Sequence, residues 1–277
     1  MTLAECVYGS RGYNLADLAG ARVTHIPLRA TTMAWSKECL LNIAISRLPP
    51  GAEKIATFDA DVTFRRSGWT TEALAALDLY PVIQPWDTAY DLGPHDEHIQ
   101  THKSFASVWH AGKPVVAKGD KFWQFNGGYA VYPHSGYAWA WTRRALDRIG
   151  GLFELGGIGS GDDHMALGLV GAADSSMPGG AGAGYRAAVK VWESRMVAEI
   201  NGKLGLVHST IEHPFHGRER PIAATARAGR YSKTMASTRI RISSATPVAC
   251  WSSPATNPTS SARSTATSAR GKRTSIR

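Results

Sequence analysis

Cysteine is scarce in this chain: Cys6, Cys39 and Cys250 are the three among 277 residues. Their scattered positions match neither a metal-binding spacing nor a disulfide framework. An odd count without a CxxC pair suits a reducing compartment, so the expected location is the cytoplasm. No apolar run approaches the roughly 18 residues that a membrane span requires. The first residues also lack the basic start, apolar stretch and small-residue cleavage site of a secretory leader. Acidic side chains are missing from residues 228–277, which carry nine Lys and Arg and no Asp or Glu. The whole chain holds 31 basic against 22 acidic residues, a formal charge of +9. Removing those nine leaves residues 1–227 with 22 of each. The basic excess therefore belongs to the tail and is no property of the body's ligand. Only Tyr231 and Trp251 interrupt those charges, which argues against a specific nucleic-acid site.

What is present is an ordinary globular composition, 43% hydrophobic, in a length that one large α/β domain can fill. Residues 1–30 read as short extended pieces, with 22–28 a strand. Apolar residues then recur at helical spacing over 34–48 and stop at Pro49-Pro50-Gly51. A short apolar strand over 54–58 follows, then a helix over 70–79 and a strand over 81–84. This alternation predicts an α/β domain with a mostly parallel sheet flanked by helices. Residues 86–124 are polar, rich in His and aromatic residues, and read as a long functional loop. A helix is expected through Trp139, Ala145 and Ile149, capped by Gly150-Gly151. Further helices are expected over 162–170 and 190–202, and a strand over 204–208. Residues 223–277 are rich in Ser, Thr, Ala and Arg and poor in large apolar residues, which predicts disorder. A second reading of that tail is translation out of frame. The domain proper is thus expected over 1–222.

Three segments carry chemistry. Asp59-Ala60-Asp61 directly follows a predicted strand, so two carboxylates stand at the carboxyl edge of a sheet, where α/β proteins bind ligands. Residues i and i+2 of an extended segment face the same way, and both can meet one Mg²⁺ or Mn²⁺ or its phosphate ligand. A solvated acidic loop is the plain alternative. Glu212-His213-Pro-Phe-His216 sets two imidazoles three residues apart, a spacing from which both can reach one metal. Gly159-Ser-Gly-Asp162-Asp163-His164 opens a helix with two acids. The helix dipole favours them there in any case, and a general base is the functional alternative.

At these residues the chain resembles the GT-A glycosyltransferases, in particular the galactosyltransferase-like group that includes the β-1,4-galactosyltransferases. Trp35-Ser-Lys37-Glu38-Cys-Leu-Leu-Asn42-Ile43 is similar to the helix ending in their Leu-Asn-Ile-Gly motif. Asp59-Ala-Asp61 matches their Asp-Val-Asp, Gly159-Ser-Gly-Asp162-Asp163 their Gly-Gly-Glu-Asp-Asp loop, and His213-Pro-Phe-His216 their Met-x-x-His. The resemblance runs in order over residues 34–220. It implies a nucleotide-diphospho-sugar transferase fold, lacking the family's first strand, that passes a sugar to a hydroxyl acceptor with inversion. It implies Mn²⁺ or Mg²⁺ held by Asp61, His213 and His216, with Asp59, Asn42 and Lys37 at the nucleotide sugar. Asp162 would be the general base, and Asp163, Trp139 and Gly159 would meet the acceptor. Gly161 stands where the family has an acid, which leaves the base open between Asp162 and Asp163. A nucleotide- or carbohydrate-binding protein without turnover is the alternative function.

Overall fold

The computed structural model describes residues 1–30, 37–116, 129–156, 161–177 and 180–215, with only the backbone described over 129–132. It is mixed α/β. Two parallel strands come first, β1 (Thr2–Tyr8) and β2 (Thr24–Ala30). Their inward side chains Cys6, Ile26 and Leu28 pack on Leu40, Ile43 and Ala44 of helix α1 (Lys37–Ser46). The sequence shows β1 only as broken extended pieces, because Glu5 interrupts its apolar pattern. That carboxylate accepts from the backbone N–H groups of Asn14 (2.7 Å) and Leu15 (3.1 Å) and tethers the returning loop. Cys6 on β1 is a free thiol.

The second sheet runs β10-β5-β9-β3. Its members are β3 (Lys54–Phe58), β5 (Val82–Gln84), β9 (Ala138–Thr142) and β10 (Leu204–Leu206). Helix α2 (Trp69–Leu79) covers one face, burying Ala73 and Leu77 against Ile83, Ala140 and Val207. The opposite face carries Trp139 and Trp141. They pack with α4 (Arg143–Ile149), α5 (Gly161–Gly168) and α6 (Ala183–Glu199) through Leu146, Ile149, Met165, Val189 and Met196. Thr142 caps α4, its hydroxyl accepting from Ala145 N at 3.2 Å, and Gly150 ends it at φ 80°, as the Gly-Gly pair predicts.

The third sheet runs β4-β11-β6-β7-β8, with β4 (Thr63–Phe64), β6 (Thr88–Leu92), β7 (His98–Ser104), β8 (Tyr129–His134) and β11 (Thr210–His213). Much of it lies where the sequence shows a polar loop. Helix α3 (Phe105–His110) follows β7, capped by Ser104, whose hydroxyl accepts from Ser107 N at 3.0 Å.

Two expectations are corrected here. The sheets are not mostly parallel: among the described strands, four pairings are parallel and four antiparallel. The turn at residues 93–97 joins β6 directly to β7, and a connection that short forces an antiparallel pair. The helix expected from Trp139 begins only at Arg143, because 138–142 is the buried strand β9. Covered on both faces, β9 lacks the alternation that marks a half-exposed strand. Among the described residues, no helix is long and apolar enough to cross a membrane. The predicted tail, 223–277, lies outside the described residues.

Candidate functional site

Strand β3 ends at Phe58, and Asp59 follows at its carboxyl end, held by a hydrogen bond from its N–H to Tyr137 O at 2.8 Å. Lys37, the first residue of α1, places its ammonium 2.6 Å from Asp59 Oδ1. Burial acts to lower the Lys37 pKa, but the charges of Asp59 and Asp162 outweigh it and hold the group above its ordinary value. Lys37, Asp59 and Asp162 line one small pocket, partly open to solvent, with Glu38, Ser135 and Tyr137. Burial raises the carboxyl of Glu38. Asp162 reaches this pocket because α5 begins at Gly161. A Cβ on Gly161 would lie 2.4 Å from the Glu38 carboxyl group, so a larger residue there would displace that side chain.

Asp163 turns differently. Ser135 Oγ donates to its Oδ1, and its own N–H donates to Asp162 Oδ1 at 3.1 Å. Burial among the surrounding atoms and the neighbouring Asp162 charge push its carboxyl upward. Its side chain nevertheless reaches solvent, which moderates that shift.

On the other side of Tyr137 lies a second cluster. Tyr137 adopts φ 70°, a left-handed conformation rare for an aromatic residue, which turns the chain between β8 and β9. Its ring stacks on His134 at 4.2 Å and its hydroxyl donates to Asp91 Oδ1 at 2.8 Å. His213, at the end of β11, is the register partner of Asp91 on β6. Its Nδ1 lies 3.3 Å from Asp91 Oδ1 and its Nε2 lies 3.9 Å from Asp61 Oδ2. The pairing of β4 with β11 brings the Asp61 turn and His213 together. The Asp91 interaction raises the His213 pKa, more than burial lowers it. Burial would raise Asp91 in turn, but the hydrogen bonds from His102 and His213 hold it well below the carboxylate range. Burial, reinforced by His102, pushes His134 down to about 3, which leaves its Nδ1 free of a proton to accept from Gly136 N at 3.1 Å.

Lys37, the Asp59–Asp61 turn, the Asp162–Asp163 pair and His213 thus come together on the two sides of Tyr137 from four separate segments. Trp139 lines the same pocket but is 3% exposed, its indole N–H bound to Ser135 O at 2.7 Å. Asn42 is committed elsewhere. Its Nδ2 donates to Leu152 O and its Oδ1 accepts from Leu152 N, both at 2.9 Å, clamping the loop after α4. Gly159 and His216 lie outside the described residues. Sequence reasoning missed Asp91, His102, His134 and Ser135. The histidine density of residues 86–124 is a visible signal for Asp91 and His102, whereas His134 and Ser135 lie beyond it.

Among the described residues, no group of three or more His, Cys, Asp or Glu side chains is arranged to hold a metal ion. Asp61 and His213 are two donors that face each other, of the oxygen and imidazole types that Mn²⁺ accepts. Asp91 behind His213 Nδ1 is the outer carboxylate that commonly orients a ligating imidazole. The described residues therefore fit part of a metal site. No protein-family model matches this chain. No curated protein matches it either.

Proposed function

We propose that this protein is a metal-dependent glycosyltransferase of GT-A type, moving a sugar from a nucleotide-diphosphate donor to a hydroxyl acceptor with inversion. The observation that carries this reading is the convergence of Asp59 and Lys37 with Asp162 in one pocket, although Asp162 lies over a hundred residues further along the chain. Lys37 offers a cation to a phosphate oxygen. Asp162 is placed to take the proton of an acceptor hydroxyl. The acceptor oxygen then bonds to the anomeric carbon as the bond to the diphosphate breaks, its electron pair leaving on the phosphate oxygen. Asp61 and His213 would hold Mn²⁺ or Mg²⁺, which when bound stabilises the negative charge on the departing diphosphate. Asp163, tied to Ser135, keeps the Asp162 segment in place.

A second reading takes the same pocket as a binding site alone. A carbohydrate-binding protein without turnover has the same features. Calorimetry with UDP and GDP, with and without Mn²⁺, separates the two. Metal-dependent nucleotide binding that Asp61→Ala abolishes supports the transferase. Binding of free sugars alone supports the second reading.

A further inference from the structure

Three hydrogen-bond donors converge on the carboxylate of Asp91. His102 Nε2 is 2.7 Å from Oδ2, Tyr137 Oη is 2.8 Å from Oδ1, and His213 Nδ1 is 3.3 Å from Oδ1. Each comes from a different segment: His102 from β7, Tyr137 from the turn before β9, and His213 from the end of β11. Asp91 itself lies near the end of β6, between the strands bearing His102 and His213, beside a register shift at Asp91/Leu92. Its side chain is 21% exposed, so solvent contributes little to satisfying it.

We propose that Asp91 is a positioning residue that holds His213 and Tyr137 in a single arrangement and thereby sets how the Asp59–Asp61 turn faces His213. Two routes lead from Asp91 to that turn. One passes through the Tyr137 ring to its backbone carbonyl, which accepts the N–H of Asp59 at 2.8 Å. The other passes through the His213 ring. With Nδ1–H directed at Asp91, the neutral imidazole presents its Nε2 lone pair toward Asp61 Oδ2, 3.9 Å away. A carboxylate accepts from all three donors at once, whereas an asparagine sets its NH₂ against one of them unless that partner turns to accept. The importance of this tautomer for metal binding rests on the function proposed above. The tautomer itself does not.

The test uses the full chain without metal, at a pH high enough that the ¹⁵N shifts themselves show His213 neutral. Side-chain ¹⁵N–¹H correlation spectra report the His213 tautomer, with His213→Gln for assignment. The wild type is expected to show the Nδ1–H form, and Asp91→Asn to shift it toward Nε2–H. In a second arm, Mn²⁺ alone is titrated by calorimetry. Asp91→Asn is expected to weaken its binding about 10- to 100-fold, the usual effect of removing an outer partner. A wild-type Nε2–H tautomer, or one unmoved by Asp91→Asn, overturns the proposal. If Asp91→Asn does not fold, the wild-type tautomer alone decides. A wild type that does not bind Mn²⁺ but whose tautomer responds to Asp91→Asn sinks the metal-dependent reading and leaves the positioning role intact.

Discussion

The Lys37 ammonium sits 2.6 Å from Asp59 Oδ1, tying the start of α1 to the carboxyl end of β3. Both side chains keep almost a third of their surface exposed, so the pair adds about 1 kcal/mol or less to stability. Its larger consequence is for binding. Lys37→Met removes the cation that Asp59 and Asp162 share, and nucleotide affinity is expected to drop at least about tenfold with little change in the melting temperature. Calorimetry with UDP or GDP and Mn²⁺ measures it, and undiminished affinity removes Lys37 from the site.

Asp162→Asn separates binding from chemistry. The amide preserves the shape of the pocket but takes no proton. Donor affinity is expected to stay within a few fold, while transfer to acceptor falls by about 10²- to 10⁴-fold. Should the loss fall on Asp163→Asn instead, the base is Asp163.

His164 supplies a pH dependence that is independent of the reaction. It is 1% exposed, with Nδ1 2.5 Å from Ser176 Oγ and Nε2 2.7 Å from Tyr185 Oη. Burial lowers its pKa to about 4. In the unfolded chain the value is about 6.5, so between these pH values the unfolded state binds a proton that the fold refuses. Stability is therefore expected to fall as pH drops from about 6.5 to about 4, by up to about 3 kcal/mol, and to be insensitive to this group above that window. Urea midpoints at pH 8 and pH 5 measure the slope. His164→Gln is expected to reduce it, and an equal slope in the variant refutes the assignment.

Gly205 in β10 marks close packing. A Cβ there would lie 2.6 Å from both Ile83 Cγ2 and the Tyr80 ring. Gly205→Ala is expected to cost about 1–3 kcal/mol through overpacking, read as a lower denaturant midpoint at unchanged slope.

Several elements were legible in the sequence because short-range rules govern them. The strand before Asp59 was read at its observed bounds, and α2 within one residue, since apolar periodicity and flanking turn residues mark both. Strand β9 was misread because Ala138 to Trp141 are all buried, and a run covered on both faces has no period to detect. Strands β6 and β7 escaped notice for the opposite reason. Thr88, Asp91, His102 and Ser104 are polar, and they are satisfied by partners across the β6–β7 pair or, for Ser104, by the start of α3.

The same division holds for the site. Asp59, Asp61, Asp162 and His213 were visible because each belongs to a local pattern: acids after a strand, acids at a helix start, an imidazole after a strand. Asp91, Ser135 and the left-handed Tyr137 belong to no such pattern. Strand register decides that Asp91 faces His213 across β6 and β11, and the packing of α5 beside α1 brings Asp162 into one pocket with Lys37. Local sequence determined which side chains are present to do chemistry. Which of them meet depended on the packing of strands and helices whose contacts span a hundred residues or more, an ordering that only the folded chain contains.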